Sequence, residues 1–382
     1  MPTITLPTDN GSIEEFHFEP GSVVAPYAGD FNRVVYAAAH IVPDLSNPNQ
    51  IDWEATLNYR KYLWSLNLGV AEAMDTAQRG AGLDWPLAKE LISRSLEASK
   101  QEGGGRVVCG CTTDQLAPKE THSFENIIDA YLEQIRFVEE KSGKAVMMAS
   151  RALAMTASSS DDYVKVYDRV LSAVQGSVMI HWLGDMFDPA LKGYWGSTDF
   201  VAAMDTLISI IKRNPGKVDG VKISLLDKEK EIKMRRLLPD GVRMYTGDDF
   251  NYPELIRGDR LGYSDALLGI FDGIAPIASA ALGRLGEGDL AGFNELLEPT
   301  VALSRHIFSA PTQHYKTGLV FLAYLNGHQE DFRMLGGQES NRSIEHLAEL
   351  FRLAAACGLL VNSDRAIERM KAICDLHSKS NI

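Results

Sequence analysis

The residue with the clearest chemical potential is Lys222, which lies in a run of mostly apolar residues at 218–225. The alternation of a β-strand puts Val221 and its apolar neighbours on one face of this run. Lys222 then shares the other face with Gly220 and Ser224, whose small side chains leave room for a ligand. Burial lowers the pKa of a lysine and frees its amine to attack a carbonyl carbon and form a Schiff base. A structural lysine in an internal ion pair is the alternative.

Three further polar residues interrupt or follow predicted strands. His181 comes at the end of the apolar run 177–182, where an imidazole could serve as an acid or base or simply be a hydrogen-bonded core residue. Glu72 lies in a strand of small apolar residues. It could line a ligand site, or it could be the internal partner of a positive charge such as Lys222. Asp248 follows a later strand and could line the same site, form a turn or cap a helix.

A repeating pattern of strand and helix must position these candidates. From residue 33 a short apolar, β-branched run is followed by a longer amphipathic run, and the unit occurs eight times. The predicted strands are 34–39, 68–73, 106–110, 145–149, 177–182, 218–224, 242–245 and 265–269. Eight such units over ~250 residues predict an α/β protein of the closed (β/α)8 TIM-barrel type. In such a barrel the functional groups lie at the carboxyl ends of the strands.

Two regions lie outside the barrel pattern. Apolar and polar residues alternate around an Asp-Asn-Gly turn near the start of the chain, which predicts a β-hairpin. From about residue 277 the chain becomes mostly helical, and the last helices exceed what a barrel needs. We therefore predict a hairpin extension at 1–30, a barrel at 31–276 and a helical bundle at 277–382. No Gly/Ser/Pro-rich linker precedes the bundle, so we expect it to pack on the barrel.

Composition argues against several classes of protein. The 382-residue chain has 51 acidic and 38 basic residues, a net charge of −13, and no long basic run. This balance disfavours nucleic-acid binding. No window of ~18 apolar residues suggests a membrane span, and the first residues lack the pattern of a signal peptide. Four cysteines in a chain of this length favour reduced thiols over a disulfide framework. We therefore expect a cytoplasmic protein that has no nucleic-acid or membrane partner.

Over about residues 34–308 the sequence resembles the dihydrodipicolinate synthase / N-acetylneuraminate lyase superfamily of class I aldolases. Residues 220–222 match the Gly-Ile-Lys motif that carries the Schiff-base lysine of this family. Residues 247–249 match its Gly-Asp-Asp motif after the seventh strand. Residues 75–79 occupy the place of its Gly-Thr-Thr-Gly-Glu motif, and Thr76 keeps one of the two threonines.

The resemblance implies a Schiff-base-forming lyase, either an aldolase or a dehydratase, acting on a keto acid, a keto-sugar or a related carbonyl compound. Lys222 is implied as the nucleophile. His181 stands at the place of a family tyrosine and would replace it as acid or base. Taken with the residues at the strand ends, the predicted substrate-binding set is Glu72, Asp75, Thr76, Ser224, Gly247 and Asp248.

Two departures from the family pattern bear on the reaction. Ala77 replaces the second threonine of the motif at 75–79, which helps to relay protons in the family. The arginine that dihydrodipicolinate synthase uses for a dicarboxylate is absent from residues 183–186. Both departures disfavour the synthase reaction itself and ordinary pyruvate recognition.

Two other functions fit the same barrel. Glu72, His181 and Asp248, at three strand ends, could hold a divalent metal for sugar isomerisation, since carboxylates and imidazole suit such ions. The barrel could also bind a small molecule without catalysis. The Schiff-base hypothesis expects a small-molecule carbonyl substrate and neither a cofactor nor a metal. The resemblance also implies a homodimer or homotetramer.

Overall fold

A closed barrel of eight parallel strands forms the centre of the protein. The computed structural model describes residues 2–8, 10–18, 24–27, 29–74, 78–117 and 120–380. Each barrel strand pairs with the next along the chain, and the last pairs with the first. The strands are β1 (Thr3–Pro7), β2 (Ile13–His17), β3 (Val35–Ala37), β4 (Gly69–Glu72), β5 (Val107–Cys111), β6 (Lys144–Met147), β7 (Val178–Leu183), β8 (Val218–Ser224), β9 (Arg243–Thr246) and β10 (Asp265–Leu268). Strands β3 to β10 form the barrel, and β1 and β2 pair as a separate antiparallel hairpin.

Helices surround the barrel and extend beyond it. They are α1 (Trp53–Ser65), α2 (Trp85–Gln101), α3 (Phe124–Glu140), α4 (Arg151–Thr156), α5 (Ser160–Ala173), α6 (Phe200–Arg213), α7 (Lys228–Arg235), α8 (Tyr252–Arg257), α9 (Ala275–Gly286), α10 (Leu290–Leu297), α11 (Thr300–Ile307), α12 (Tyr315–Asn326), α13 (Ile344–Ala356) and α14 (Ser363–Ser380). The predicted (β/α)8 barrel with an N-terminal hairpin and C-terminal helices is confirmed. None of the described helices is both long and apolar enough to cross a membrane.

Local sequence signals start the barrel helices. Asp52, Ser123 and Asp199 precede α1, α3 and α6, and each side chain accepts the backbone N–H three residues later. Such caps satisfy backbone donors that have no partner inside the helix. They also end the loop that follows each strand, which fixes how far the loop can extend over the barrel mouth.

The strands have two faces with different surroundings. Tyr36, Ala71, Val108, Met179 and Tyr245 pack together inside the barrel. The residues that alternate with them pack against the helices in the main core. Lys222 of β8 pairs in register with His181 of β7 and with Tyr245 of β9. Residues in register on parallel strands share a face, so Lys222 and His181 belong to the interior.

The hairpin packs on the C-terminal helices. Arg352 of α13 donates to the backbone oxygens of Leu6 and Pro7, at 3.5 and 2.9 Å. The rings of Phe16 and Phe18 contact the ring of Phe351. The two regions predicted outside the barrel therefore contact each other. The predicted boundary at 276/277 falls inside α9, the helix that follows the last barrel strand; the three-part division itself stays a prediction.

Candidate active site

Lys222 is held inside the barrel by the alternation of β8. Lys222 is 8% exposed, and its amine makes no hydrogen bond or ion pair with any described residue. Burial lowers the pKa of Lys222 to about 8, and the negative charge of nearby Asp249 opposes this shift. Buried amines are ordinarily paired, so the amine without a described partner makes Lys222 a candidate functional residue.

The Lys222 side chain opens into a narrow pocket of about 20 Å3 at the carboxyl ends of the strands. The lining comes from several strand ends, including Ala38, His181, Ser224, Asp249 and Gly269, and from Tyr315 at the start of α12. This is the end of the barrel at which enzymes of this architecture place their chemistry.

His181 lines this pocket beside Lys222. Its Nε2 lies 3.2 Å from Ser224 Oγ, and its Nδ1 is buried with no hydrogen-bond partner in the part of the chain that the structure describes. Burial, and secondly the charge of Lys222, hold the pKa of His181 well below its usual value. The imidazole is therefore neutral near pH 7, the form that can accept a proton.

Among the described residues, Asp249 is the acidic group that lines the pocket, whereas Asp248 was predicted from the sequence. Asp249 accepts the backbone N–H of Ile270 at 2.8 Å. Burial raises its pKa to about 7, against the lowering effects of backbone hydrogen bonds and of Lys222. The signal that could have identified Asp249 is the strand alternation. Tyr245 faces the interior, so residues 247 and 249 fall on that side and residue 248 does not.

Asp248 does not line the pocket, which corrects its predicted place. Its carboxylate accepts the backbone N–H groups of Phe250 and Asn251, at 2.9 and 3.0 Å, and the Asn251 side-chain amide at 2.8 Å. Burial, as the largest cause, raises its pKa. Asp248 therefore shapes the loop after β9, in agreement with the turn-forming role that was one of its alternatives.

Gly247 is part of the site because it has no side chain. A Cβ at this position would overlap Ser224 Oγ and lie 2.7 Å from Lys222 Cε. Any larger residue would displace the lysine. Ser224 itself lines the pocket and is tied to His181. The structure thus brings together four of the predicted residues, namely Lys222, His181, Ser224 and Gly247.

Glu72 lies outside the pocket, in the layer between the barrel and its helices. Its fully buried carboxylate receives two hydrogen bonds from Arg60 of α1, at 2.9 and 3.0 Å. Ser95 of α2 and the backbone of Ala73 donate to it as well. The expectation that Glu72 reaches the barrel mouth is therefore corrected. It is the internal partner of a positive charge, which is Arg60 and not Lys222. Asp75 and Thr76 lie outside the described residues.

The metal-site alternative depends on Glu72, His181 and Asp248 coming together. Glu72 is turned to the helix layer and Asp248 to its own loop, so the structure does not assemble this set. Over the described ranges, no group of three or more His, Cys, Asp and Glu side chains is arranged to hold a metal ion. The alternative thus lacks the ligand set on which it was based.

Aromatic residues distant in sequence cover the pocket. The rings of Phe308 and Tyr315, from the C-terminal region, stack at 4.6 Å. Phe187, from the loop after β7, meets both edge-on at 6.3 and 5.8 Å. Phe308 also packs against Gly269 at the end of the last strand. No local pattern in the sequence predicts this cover, because it is made by residues about 120 positions apart.

These features define a class of protein, a (β/α)8 barrel with a buried, inward-facing lysine at the carboxyl end of its sixth strand. The chain matches the family described as proteins of unknown function, DUF993, over residues 4–378, and it belongs to that family. No curated protein sequence matches it.

Several solved structures have the same fold. A putative dihydrodipicolinate synthetase from Pseudomonas aeruginosa is similar with a TM-score of 0.64 and 15% identity, covering 83% of this chain and 99% of that one. Dihydrodipicolinate synthase from Aquifex aeolicus is similar with a TM-score of 0.65 and 12% identity, covering 87% and 100%. A monomeric dihydrodipicolinate synthase variant is similar with a TM-score of 0.62 and 14% identity, covering 86% and 97%. The resemblance predicted from the sequence is confirmed in the fold, with a strongly divergent sequence.

Proposed function

We propose that the protein is a Schiff-base-forming lyase, an aldolase or a dehydratase, that acts on a keto acid, a keto-sugar or a related carbonyl compound. The observation that carries this proposal is the Lys222 amine, which is buried in the pocket at the barrel mouth and has no described partner. The fold supports an aldolase or lyase type of function in general.

The lowered pKa makes Lys222 a usable nucleophile. With a pKa of about 8, roughly one amine in ten is neutral at pH 7, against about one in three thousand for an ordinary lysine. The Nζ lone pair attacks the carbonyl carbon, and loss of one water gives a protonated imine. Asp249 faces the same pocket, so its carboxylate would balance the new positive charge.

The protonated imine draws electrons from the adjacent carbon. In an aldol cleavage, a base removes the proton of the β-hydroxyl group, the carbon–carbon bond breaks, and its electron pair forms an enamine. In a dehydration, a base removes a proton from the adjacent carbon, and the β-hydroxyl group then takes a proton from an acid and leaves as water. After an aldol cleavage, an acid protonates the enamine carbon and restores the imine. In either case water finally hydrolyses the imine and restores the amine. His181 is proposed as the acid and base, because its neutral imidazole lines the pocket.

The test is reductive trapping. The protein is incubated with a panel of keto acids and keto-sugars, reduced with borohydride, and analysed by intact mass and peptide mapping. We expect a mass increase on Lys222 with at least one compound, and none in the Lys222→Arg variant, because a guanidinium stays protonated and is a poor nucleophile. Lys217→Arg is the matched control. Lys217 precedes the same strand but donates to the backbone oxygen of Val174 at 2.7 Å.

Labelling at another lysine, or unchanged labelling of the Lys222→Arg variant, would overturn the proposal. Complete absence of labelling over the panel would favour a barrel that binds without catalysis. The homodimer or homotetramer also stays a proposal that rests on the resemblance. Light scattering at micromolar concentration tests it, and a monomer would refute it.

A further inference from the structure

The Lys222 pocket continues into a larger groove. His181 and Leu183 line both cavities. The groove has a volume of about 190 Å3 and lies among the loops that follow β4, β5, β6 and β7. A substrate with its carbonyl carbon at Lys222 that extends past His181 and Leu183 would enter this groove.

Two arginines line the groove, and one of them is fully committed to the fold. Arg79 forms a bidentate ion pair with Asp114, at 2.6 and 3.0 Å. Its remaining donors bind the backbone oxygens of Ala73 and Gly110 and the side chain of Gln134. All five guanidinium hydrogens of Arg79 are thus used, and the residue ties the loops after β4 and β5 together.

Arg151 is the other arginine, and most of its donors are free. Its Nε donates to Asp188 at 2.6 Å, while its two Nη groups donate to no described residue. The side chain is 47% exposed. Nη1 lies over Gly80, 3.5 Å from the position that a Cβ would take there. Residue 80 has no side chain that could cover Nη1, and the free edge of the guanidinium, formed by Nη1 and Nη2, has no described hydrogen-bond partner.

We propose that this free edge of Arg151 binds an anionic group of the substrate, a carboxylate or a phosphate, that lies several atoms from the carbonyl carbon. The inference rests on the proposed function and adds a substrate class to it, namely an acidic carbonyl compound. Two parallel N–H donors match the two oxygens of either anion in a bidentate arrangement.

Asp188 orients the guanidinium without blocking it. Its Oδ2 accepts from Nε of Arg151, and its Oδ1 accepts the backbone N–H of Ala190 at 3.1 Å. Both carboxylate oxygens of Asp188 therefore accept hydrogen bonds, and neither accepts one from Nη1 or Nη2 of Arg151. A hydroxyl group offers a single acceptor oxygen and no charge, so the same edge favours an anion over an alcohol of equal length.

The test compares matched ketones in the trapping reaction. The acids are 4-oxopentanoate, 5-oxohexanoate and 6-oxoheptanoate. Each is paired with the oxo-alcohol of equal length and with the phosphate ester of that alcohol. The concentration that gives half-maximal labelling of Lys222 is measured for each compound. At the best length, an acid or a phosphate ester should label at a roughly ten- to hundredfold lower concentration than its alcohol.

Arg151→Gln should abolish this preference, and Arg151→Lys should keep only part of it. Arg213→Gln is the matched control, because Arg213 Nε binds a single carboxylate oxygen of Asp168 at 2.7 Å but lies outside the groove. A preference for acids that survives in Arg151→Gln, or equal labelling by acids and alcohols in the unchanged protein, would overturn the inference and leave the Schiff base standing. Failure of every ketone to label Lys222 would overturn both. Comparison of the carboxylic acids with the phosphate esters identifies which of the two anions Arg151 binds.

Discussion

Two groups of buried ionisable residues lie on opposite sides of the barrel wall and differ in how many of their polar atoms have hydrogen-bond partners. In the helix layer, Glu72 receives hydrogen bonds from Arg60, Ser95 and its own neighbouring backbone. In the pocket, the Lys222 amine and His181 Nδ1 have no described partner. The residues are about equally buried, so burial alone does not distinguish a functional group from a structural one. Lys222 and His181 are candidates because their unsatisfied polar atoms belong to residues that line one pocket.

A second buried lysine sharpens the comparison. Lys316 of α12 is fully buried, and burial, with the charge of Arg60, holds its pKa well below the usual value. Its amine donates to the backbone oxygen of Ala38 at 2.8 Å and lies 3.5 Å from a carboxylate oxygen of Asp272. A lowered pKa is thus shared by both lysines, whereas freedom from partners and access to the pocket belong to Lys222.

After Lys222→Arg, the largest effect is expected from His181→Ala. Loss of a general acid or base lowers turnover by about 10²–10⁴-fold. Since the imidazole makes one described hydrogen bond, to Ser224, the free energy of unfolding should change far less than the rate. Single-turnover kinetics and urea unfolding measure the two quantities. Unchanged turnover with any substrate that labels Lys222 would remove His181 from the mechanism.

Glu72→Gln should show the opposite pattern. It leaves the fully buried Arg60 without its carboxylate, and breaking a buried ion pair costs about 3–5 kcal/mol of stability. Protein that stays folded should still be labelled at Lys222. The double variant Arg60→Met with Glu72→Met should recover part of the loss, because no unpaired charge then remains. Normal stability of Glu72→Gln would contradict the structural role assigned here.

Asp249→Asn should move the pH dependence of imine formation. Burial lowers the pKa of Lys222 and the Asp249 charge raises it. Removing the charge should therefore lower this pKa further, so that the neutral amine appears at lower pH. Labelling rates, sampled by borohydride quenching from pH 6 to pH 10, should rise around pH 8 in the unchanged protein and at lower pH in the variant. A shift to higher pH would show that Asp249 does not act on Lys222 through its charge.

The smallest effect is expected from Asp248→Asn. The asparagine oxygen can still accept the N–H groups of Phe250 and Asn251, and only the bond to the Asn251 amide is at risk. We expect at most about 1 kcal/mol of lost stability. The pH profile of labelling should follow that of the unchanged protein, in contrast to Asp249→Asn. Equal shifts of the pH profile in Asp248→Asn and Asp249→Asn would mean that Asp249 has no special influence on Lys222.

Much of this protein follows from local rules in its sequence. The eight predicted strands overlap the eight observed ones, because apolar β-branched runs and capped helix starts act over a few residues. The inward direction of Lys222 follows from alternation within one strand. The same rule, applied from Ala71 and Tyr245, separates inward Asp249 from outward Asp248 and Glu72.

Only the tertiary structure decided which polar side chains have hydrogen-bond or ion-pair partners. Arg60 reaches Glu72 because α1 packs on β4. Tyr315, with Phe308 stacked on it, lines the Lys222 pocket because the C-terminal region packs at the barrel mouth. Arg151 comes beside Gly80 because the loops after β6 and β4 meet at the groove. The two-residue alternation of a strand defines whether a side chain points into or out of the barrel. Which residue becomes its hydrogen-bond partner depends on how the barrel closes. Closure brings together residues tens to hundreds of positions apart, and no local pattern in the sequence encodes those distances.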